Sequence, residues 1–299
     1  VSIRSLLQPY ARELKPTLLL AAPITAGHVS QMLLGIADTV MIGRIGVVEL
    51  AACALSHTLF HFIFIVGVGL LTSVSVLVSH AYGAGNKTEA GEMLRRGLVI
   101  GIVSGTVMFG LIWGSFPFLG VLKQPENVLY TGLPYLWLLG LSLPVVMAII
   151  CFRNYSEAQD APWPAFWTGL IAVLLNIFLN WVLIYGNLGA PRLELDGAGI
   201  ATVISRIVNL LMLIIWLRLD ARFVESWPVR WLATVPLNAL KSMLKLGFPV
   251  GLQLLMEVGA FSSATLFMGL LGVTEMAAHQ VAITCAATAF MVPLGISLA

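Results

Sequence analysis

Apolar runs of about 20 residues or more recur along the whole chain, and short polar connections separate them. A hydrocarbon core about 30 Å thick takes roughly 20 residues of helix to cross. Inside lipid each backbone N–H and C=O must find its partner within the element, so only helices and closed barrels span. The runs lack the alternation of roughly ten-residue barrel strands, which leaves helices. With 59% hydrophobic and 10% charged residues, and a mean hydropathy of +0.96, the chain is excluded from the water-soluble class.

The pattern predicts an all-α polytopic membrane protein with eight helices, at residues 17–43, 50–79, 97–121, 129–152, 165–186, 197–219, 247–271 and 275–299. The longest polar connection follows the sixth and mixes Arg222, Arg230, Lys241 and Lys245 with Trp227 and Trp231, the composition of an interfacial amphipathic segment. The expected organisation is a six-helix lobe over 1–219, a cytoplasmic amphipathic linker over 220–246, and the first two helices of a second lobe over 247–299. Basic residues such as Arg4, Arg12, Lys15, Lys87, Arg95, Arg96, Arg153 and Arg218 gather on one face, against Arg44, Lys123 and Arg192 on the other. The positive-inside rule then places the N-terminus and the linker in the cytoplasm.

The chain also repeats itself. Shifted by 226 residues without a gap, Pro23 falls on Pro249, Gly43 on Gly269, Gly46 on Gly272, Glu49 on Glu275 and Gly69 on Gly295. "GRIGVVELAA" at 43–52 thus corresponds to "GLLGVTEMAA" at 269–278. Spans one and seven are an even number apart, so the copies share an orientation, as in a parallel repeat of six-helix halves. Twelve helices are expected of the complete protein, and this chain looks like an incomplete piece of it.

Polar groups inside the apolar runs are the candidate functional residues. Asp38 interrupts "LLGIADTVMIG", and an acid kept in a membrane helix faces a cavity, is paired, or is protonated. Asn176 and Asn180 in "LLNIFLNWVLIYG" are four residues apart and share a helical face. Glu257 in "LLMEVGAF" is a second acid within a span; the repeat aligns it with Gln31 and aligns Asp38 with Ala264. The halves therefore carry acids at different depths. Arg206 lies inside span six, where it is expected to pair with an acid or to snorkel.

Other features point away from chemistry. Cys53, Cys151 and Cys285 are isolated in apolar runs, without the spacing of a disulfide framework or a zinc site. His57 and His61 are one turn apart but lack a third ligand, which favours packing or hydrogen bonding over a metal site. "AYGAGNK" at 81–87 lacks the lysine and hydroxyl spacing of a phosphate loop and reads as a turn. A net charge of +2 implies no nucleic-acid partner.

Taken in order, "LGIADTVMIGRIG", "LLNIFLNWVLIYGNLGAPRLELDGAGIATVIS", "LLMEVGAF" and "GVTEMAAHQVAI" resemble the multidrug and toxic compound extrusion (MATE) family, in its NorM-like branch. The resemblance implies a monomeric secondary antiporter of the plasma membrane, in a bacterium the inner membrane, with two pseudo-symmetric lobes. It would export organic cations or other xenobiotics in exchange for H⁺ or Na⁺, with no cofactor and no enzymatic step. Asp38 matches the family's span-one acid, implicated in ion coupling. Asn176, Asn180 and Thr202 match positions around it, and some relatives have an acid where Asn180 stands. Glu257 matches the span-seven acid, and Gln280 and Gln31 are further candidates for lining the cavity. The alternatives are a flippase for lipid-linked oligosaccharides, a membrane-embedded enzyme, or a non-transporting scaffold.

Overall fold

The computed structural model describes residues 3–117, 125–231, 233–271 and 273–298, with the side chains of 3–16, of 31–34 and of scattered positions from 262 onward outside that description. The described residues form nine α-helices: α1 (Ile3–Gly43), α2 (Val47–Gly83), α3 (Lys87–Ser115), α4 (Glu126–Leu141), α5 (Leu143–Glu157), α6 (Trp163–Tyr185), α7 (Glu194–Leu219), α8 (Leu237–Leu271) and α9 (Val273–Leu298). Six segments are long and apolar enough to cross a membrane, and α4 with α5 makes a seventh if the bent pair is one span. In α9 only a shorter apolar stretch, Cys285–Ser297, is described.

Three differences from the sequence expectation have local causes. The single span predicted over 129–152 is broken at Ser142, and its halves meet at 40°. Pro144, in the first turn of α5, has no N–H to give, and in a continuous helix its ring would collide with the carbonyl four residues back, that of Gly140. Second, α3 begins ten residues ahead of its apolar run. Asn86 caps it by accepting from Glu89 N–H at 3.1 Å while its amide donates to the Glu89 carboxylate at 2.9 Å. Hydropathy cannot see a helix that continues into polar sequence. Third, α8 begins at Leu237, so ten residues expected in the linker are helical.

The remaining boundaries follow simple chemistry. The glycine-rich stretch after α2 is a turn, with Gly85 at φ +76°. Glu49 sits in the first turn of α2, where its charge complements the helix dipole. Gly186 ends α6 in a left-handed conformation, φ 75°.

Helix α2 is the centre of the molecule, packing on α3, α4, α5 and α8, while α6 packs on α7 and α1. Cys53 and Cys151 are buried, as small packing residues should be, whereas Cys285 is exposed.

The repeat is visible in how helices cross. A Cβ on Gly69 of α2 would collide with the backbone of Gly251 on α8, and one on Gly247 would collide with the backbone of Leu70. The two helices thus touch backbone to backbone through Gly247-x-x-x-Gly251, the small-residue spacing that lets membrane helices approach closely. The 226-residue offset carries Gly69 onto Gly295 and Thr25 onto Gly251. A Cβ on Gly295 would collide with Thr25. The α1–α9 contact is therefore the repeat mate of the α2–α8 contact.

The first half of the linker docks on the bundle. Phe223, in a 3-10 turn after α7, is 1% exposed. The Tyr155 hydroxyl donates to the Ser226 carbonyl at 2.9 Å and lies 2.7 Å from the Ser226 hydroxyl, which donates to Gln159 at 2.9 Å. Trp227 stacks on Phe152, with ring centroids 6.2 Å apart, and Arg218 lies over the Trp227 ring at 5.9 Å. Lys87 pairs with Glu225 at 2.9 Å, and Arg95 donates to the Ala233 carbonyl. Of the two linker tryptophans, Trp227 is thus also a protein contact.

Candidate functional site

Asp38 sits near the end of α1 in an otherwise apolar helix and is 8% exposed. Helix α6 presents Asn176 and Asn180 to it, 2% and 0% exposed, on the face that their four-residue spacing requires. Asn180 Nδ2 donates to Asp38 Oδ1 at 2.6 Å and to Asn176 Oδ1 at 3.0 Å. Asn176 Nδ2 reaches Thr202 Oγ1 on α7 at 3.4 Å, and the Thr202 hydroxyl donates to the Ala198 carbonyl at 2.9 Å. The four residues that the sequence picks out in the first lobe are thus one network across three helices. Tyr185 OH, donating to Met41 O at 2.8 Å, fastens α6 to the end of α1 beside it.

On Asn180 the donors are accounted for and the acceptor is not. Both hydrogens of the Asn180 amide are spent, and its Oδ1 is buried without a partner among the described residues. With the Asn180 N–H directed at Asp38, this arrangement suits the ionised carboxylate, which only accepts. A protonated Asp38 has one hydrogen to give, and a rotated Asn180 amide offers its oxygen for it. Neither Asp38 nor Arg206 belongs to any ion pair among the described residues.

A second polar group lies behind the first. Tyr135 OH on α4 is 2.9 Å from His57 Nε2 on α2, and the Cys53 thiol lies 3.9 Å from the same hydroxyl. This is the hydrogen-bonding role expected of His57. Arg206, on α7 one turn beyond Thr202, neither pairs with a carboxylate nor snorkels. It donates to the Ser142 hydroxyl at the break between α4 and α5 and stands over the Phe60 ring, 5.2 Å from the centroid. Tyr135 and Ser142 are absent from the sequence-derived candidates, because a tyrosine and a serine in apolar runs carry no spacing signal.

The structure does not bring Glu257 to this network. It lies on α8 and is exposed, a departure from the expectation of a second buried acid. The side chains of Gln31 and Gln280 lie outside the described residues. A small cavity elsewhere, between α1, α5 and α6, is walled by Pro23, His28, Arg153 and Glu157, with Arg153 Nε 3.7 Å from Glu157.

Helices of spanning length around a buried acid and amide network define a polytopic membrane protein. A family model described as MatE matches residues 23–182, more than half of the sequence, and the chain belongs to that family. It is 34% identical over 292 residues to the probable multidrug resistance protein NorM of Bradyrhizobium diazoefficiens, covering 97% of this chain and 62% of the relative. It is 33% identical over 291 residues to the NorM protein of the same description from Pseudomonas aeruginosa, covering 97% and 60%. The fold is similar to the crystal structure of the eukaryotic MATE transporter AtDTX14, with a TM-score of 0.86, 18% identity, and coverage of 97% of this chain and 64% of that one. The chain spans somewhat less than two thirds of the length of the relatives it matches.

Proposed function

We propose that this chain supplies the first lobe, residues 1–219, and the opening helices of the second, 247–299, of a multidrug efflux antiporter that exports organic cations in exchange for H⁺ or Na⁺. In this reading Asp38 is the ion-coupling acid, and Asn176, Asn180 and Thr202 hold it. Glu257 serves the second lobe, with Gln31 and Gln280 lining the cavity. The linker and the N-terminus face the cytoplasm of a bacterial inner membrane, and the working unit is a monomer. The observation that carries the reading is the unsatisfied Asn180 oxygen beside a buried carboxylate. A proton or a small cation between them would complete the network, and an acid that binds such an ion changes the balance of two lobe arrangements by its differential affinity for them.

The relatives named as multidrug resistance proteins support the substrate class. A flippase for pyrophosphate-linked lipid would want a cationic cavity, whereas Arg206 is already engaged by Ser142 and Phe60. The test is gradient-driven movement of ethidium in liposomes containing the protein, with a pH or a Na⁺ gradient imposed. Asp38→Asn is expected to abolish it and Glu257→Gln to reduce it. Uptake unchanged in both variants removes the site assignment, and no response to either gradient removes the antiporter.

A further inference from the structure

Arg206 is the unexplained charge of the lobe. It stands at the midpoint of α7, where a cation is most costly to hold in a membrane. No carboxylate pairs with it among the described residues. What holds it is the Ser142 hydroxyl, the face of Phe60, and the C-terminal end of α4, whose dipole is negative at that end. None of these carries a full countercharge. The nearby group that does is Asp38, reached from Arg206 by one turn of α7 to Thr202 and then through Asn176 and Asn180.

We infer that Arg206 sets the charge offset of the Asp38 site, making the lobe interior neutral when Asp38 is ionised and positive when Asp38 is protonated, so that proton uptake repels a bound organic cation. The inference rests on the reading of Asp38 as the ion-coupling acid. Without Arg206 the same protonation would take the site from negative to neutral, which ends attraction but creates no repulsion. With it, one proton from solvent taken up by the carboxylate turns a tolerant site into a hostile one. Arg206 acts through Asp38 and the field in the lobe, and it is a positioning residue. The other titratable groups of this part of the lobe are Tyr135 on α4 with Cys53 and His57 on α2, and His61 one turn beyond His57. A proton on either histidine would add to the same sign.

Two measurements on the purified protein test this. The first needs no ligand: thermal unfolding of Arg206→Gln, Asp38→Asn and the double variant. Each single variant leaves one uncompensated charge in the lobe, so the double variant is expected to melt higher than the sum of the single losses requires. Additive losses overturn the inference. The second is ethidium binding at pH 8 and pH 5.5. The Arg206→Gln protein should bind roughly tenfold more tightly than the parent at pH 5.5, the effect of one charge about 10 Å away at an effective dielectric of about 20. Arg206→Lys, which keeps the charge, should bind like the parent. Equal binding by parent and Arg206→Gln, or a Lys variant that behaves like the Gln variant, overturns it. If Arg206→Gln does not fold, the double variant is compared with Asp38→Asn, and it should bind more tightly. A protein that binds no ethidium in any form defeats the cation-export reading, and the melting cycle still decides the role of Arg206.

Discussion

Asn180 is an amide with both hydrogens committed and its oxygen idle, and that imbalance gives the site its character. Its N–H to Asp38 is a hydrogen bond to a buried charged group, worth more than a neutral one. Replacing Asn180 with Leu leaves Asp38 Oδ1 buried without that donor. The expected cost is about 1–3 kcal/mol, read as a lower melting temperature. Asp38→Asn in the same background should recover most of it, since the orphaned charge is gone. Asp38, Asn176 and Asn180 were legible in one dimension because an acid in an apolar run is costly and a four-residue spacing fixes a helical face, whereas Thr202 came only with the family resemblance. The partner of His57 was not. Tyr135 comes to it from 78 residues away, a distance that only the packing of α4 on α2 closes. Arg206 was visible as a charge, but its engagement by Ser142 depends on a helix break that places the hydroxyl there.

At the scale of elements, composition found the helices, and capping and proline chemistry decided where they begin and break. Apolar length located the spans because lipid demands it, but it said nothing of the polar first turns of α3 and α8 or of the Pro144 break. The linker shows the same limit. Composition assigned Trp227 and Trp231 to an amphipathic segment, but it could not show that Trp227 also stacks on Phe152 beside the buried Ser226 hydroxyl. Tyr155→Phe removes the donor to the Ser226 carbonyl, at an expected cost of about 1 kcal/mol, and should speed protease cleavage of the linker over 224–236. Acid is not expected to release the linker early. The Arg222 side chain beside Asp220 holds that carboxyl below the usual carboxylate range. A depressed folded pKa contributes stability above the unfolded value, about 3.9, and loses it as pH falls through the depressed one. Protease protection at this end should therefore be the same at pH 8 and pH 5, and weaken only in stronger acid.

At the scale of the whole molecule, the internal repeat could be read from the sequence, but its physical meaning needed the crossings. The offset pairs Gly69 with Gly295 as letters. In three dimensions each of them is where a helix comes too close to its partner for a Cβ, Gly69 against the backbone of Gly251 and Gly295 against Thr25. Gly69→Val should push α2 and α8 apart against backbone that cannot yield, a cost of about 1–3 kcal/mol or more, visible as a lower melting temperature. Val at Gly110, where an added Cβ meets nothing within 4 Å, should be tolerated.

A crossing built on bare backbone has no side chain that can turn aside. Gly69 of α2 meets the backbone of Gly251, and Gly247 of α8 meets that of Leu70. Such a seam tolerates no substituent on either side, which gives the chain a reason to spend glycine where a helix would be firmer with almost anything else.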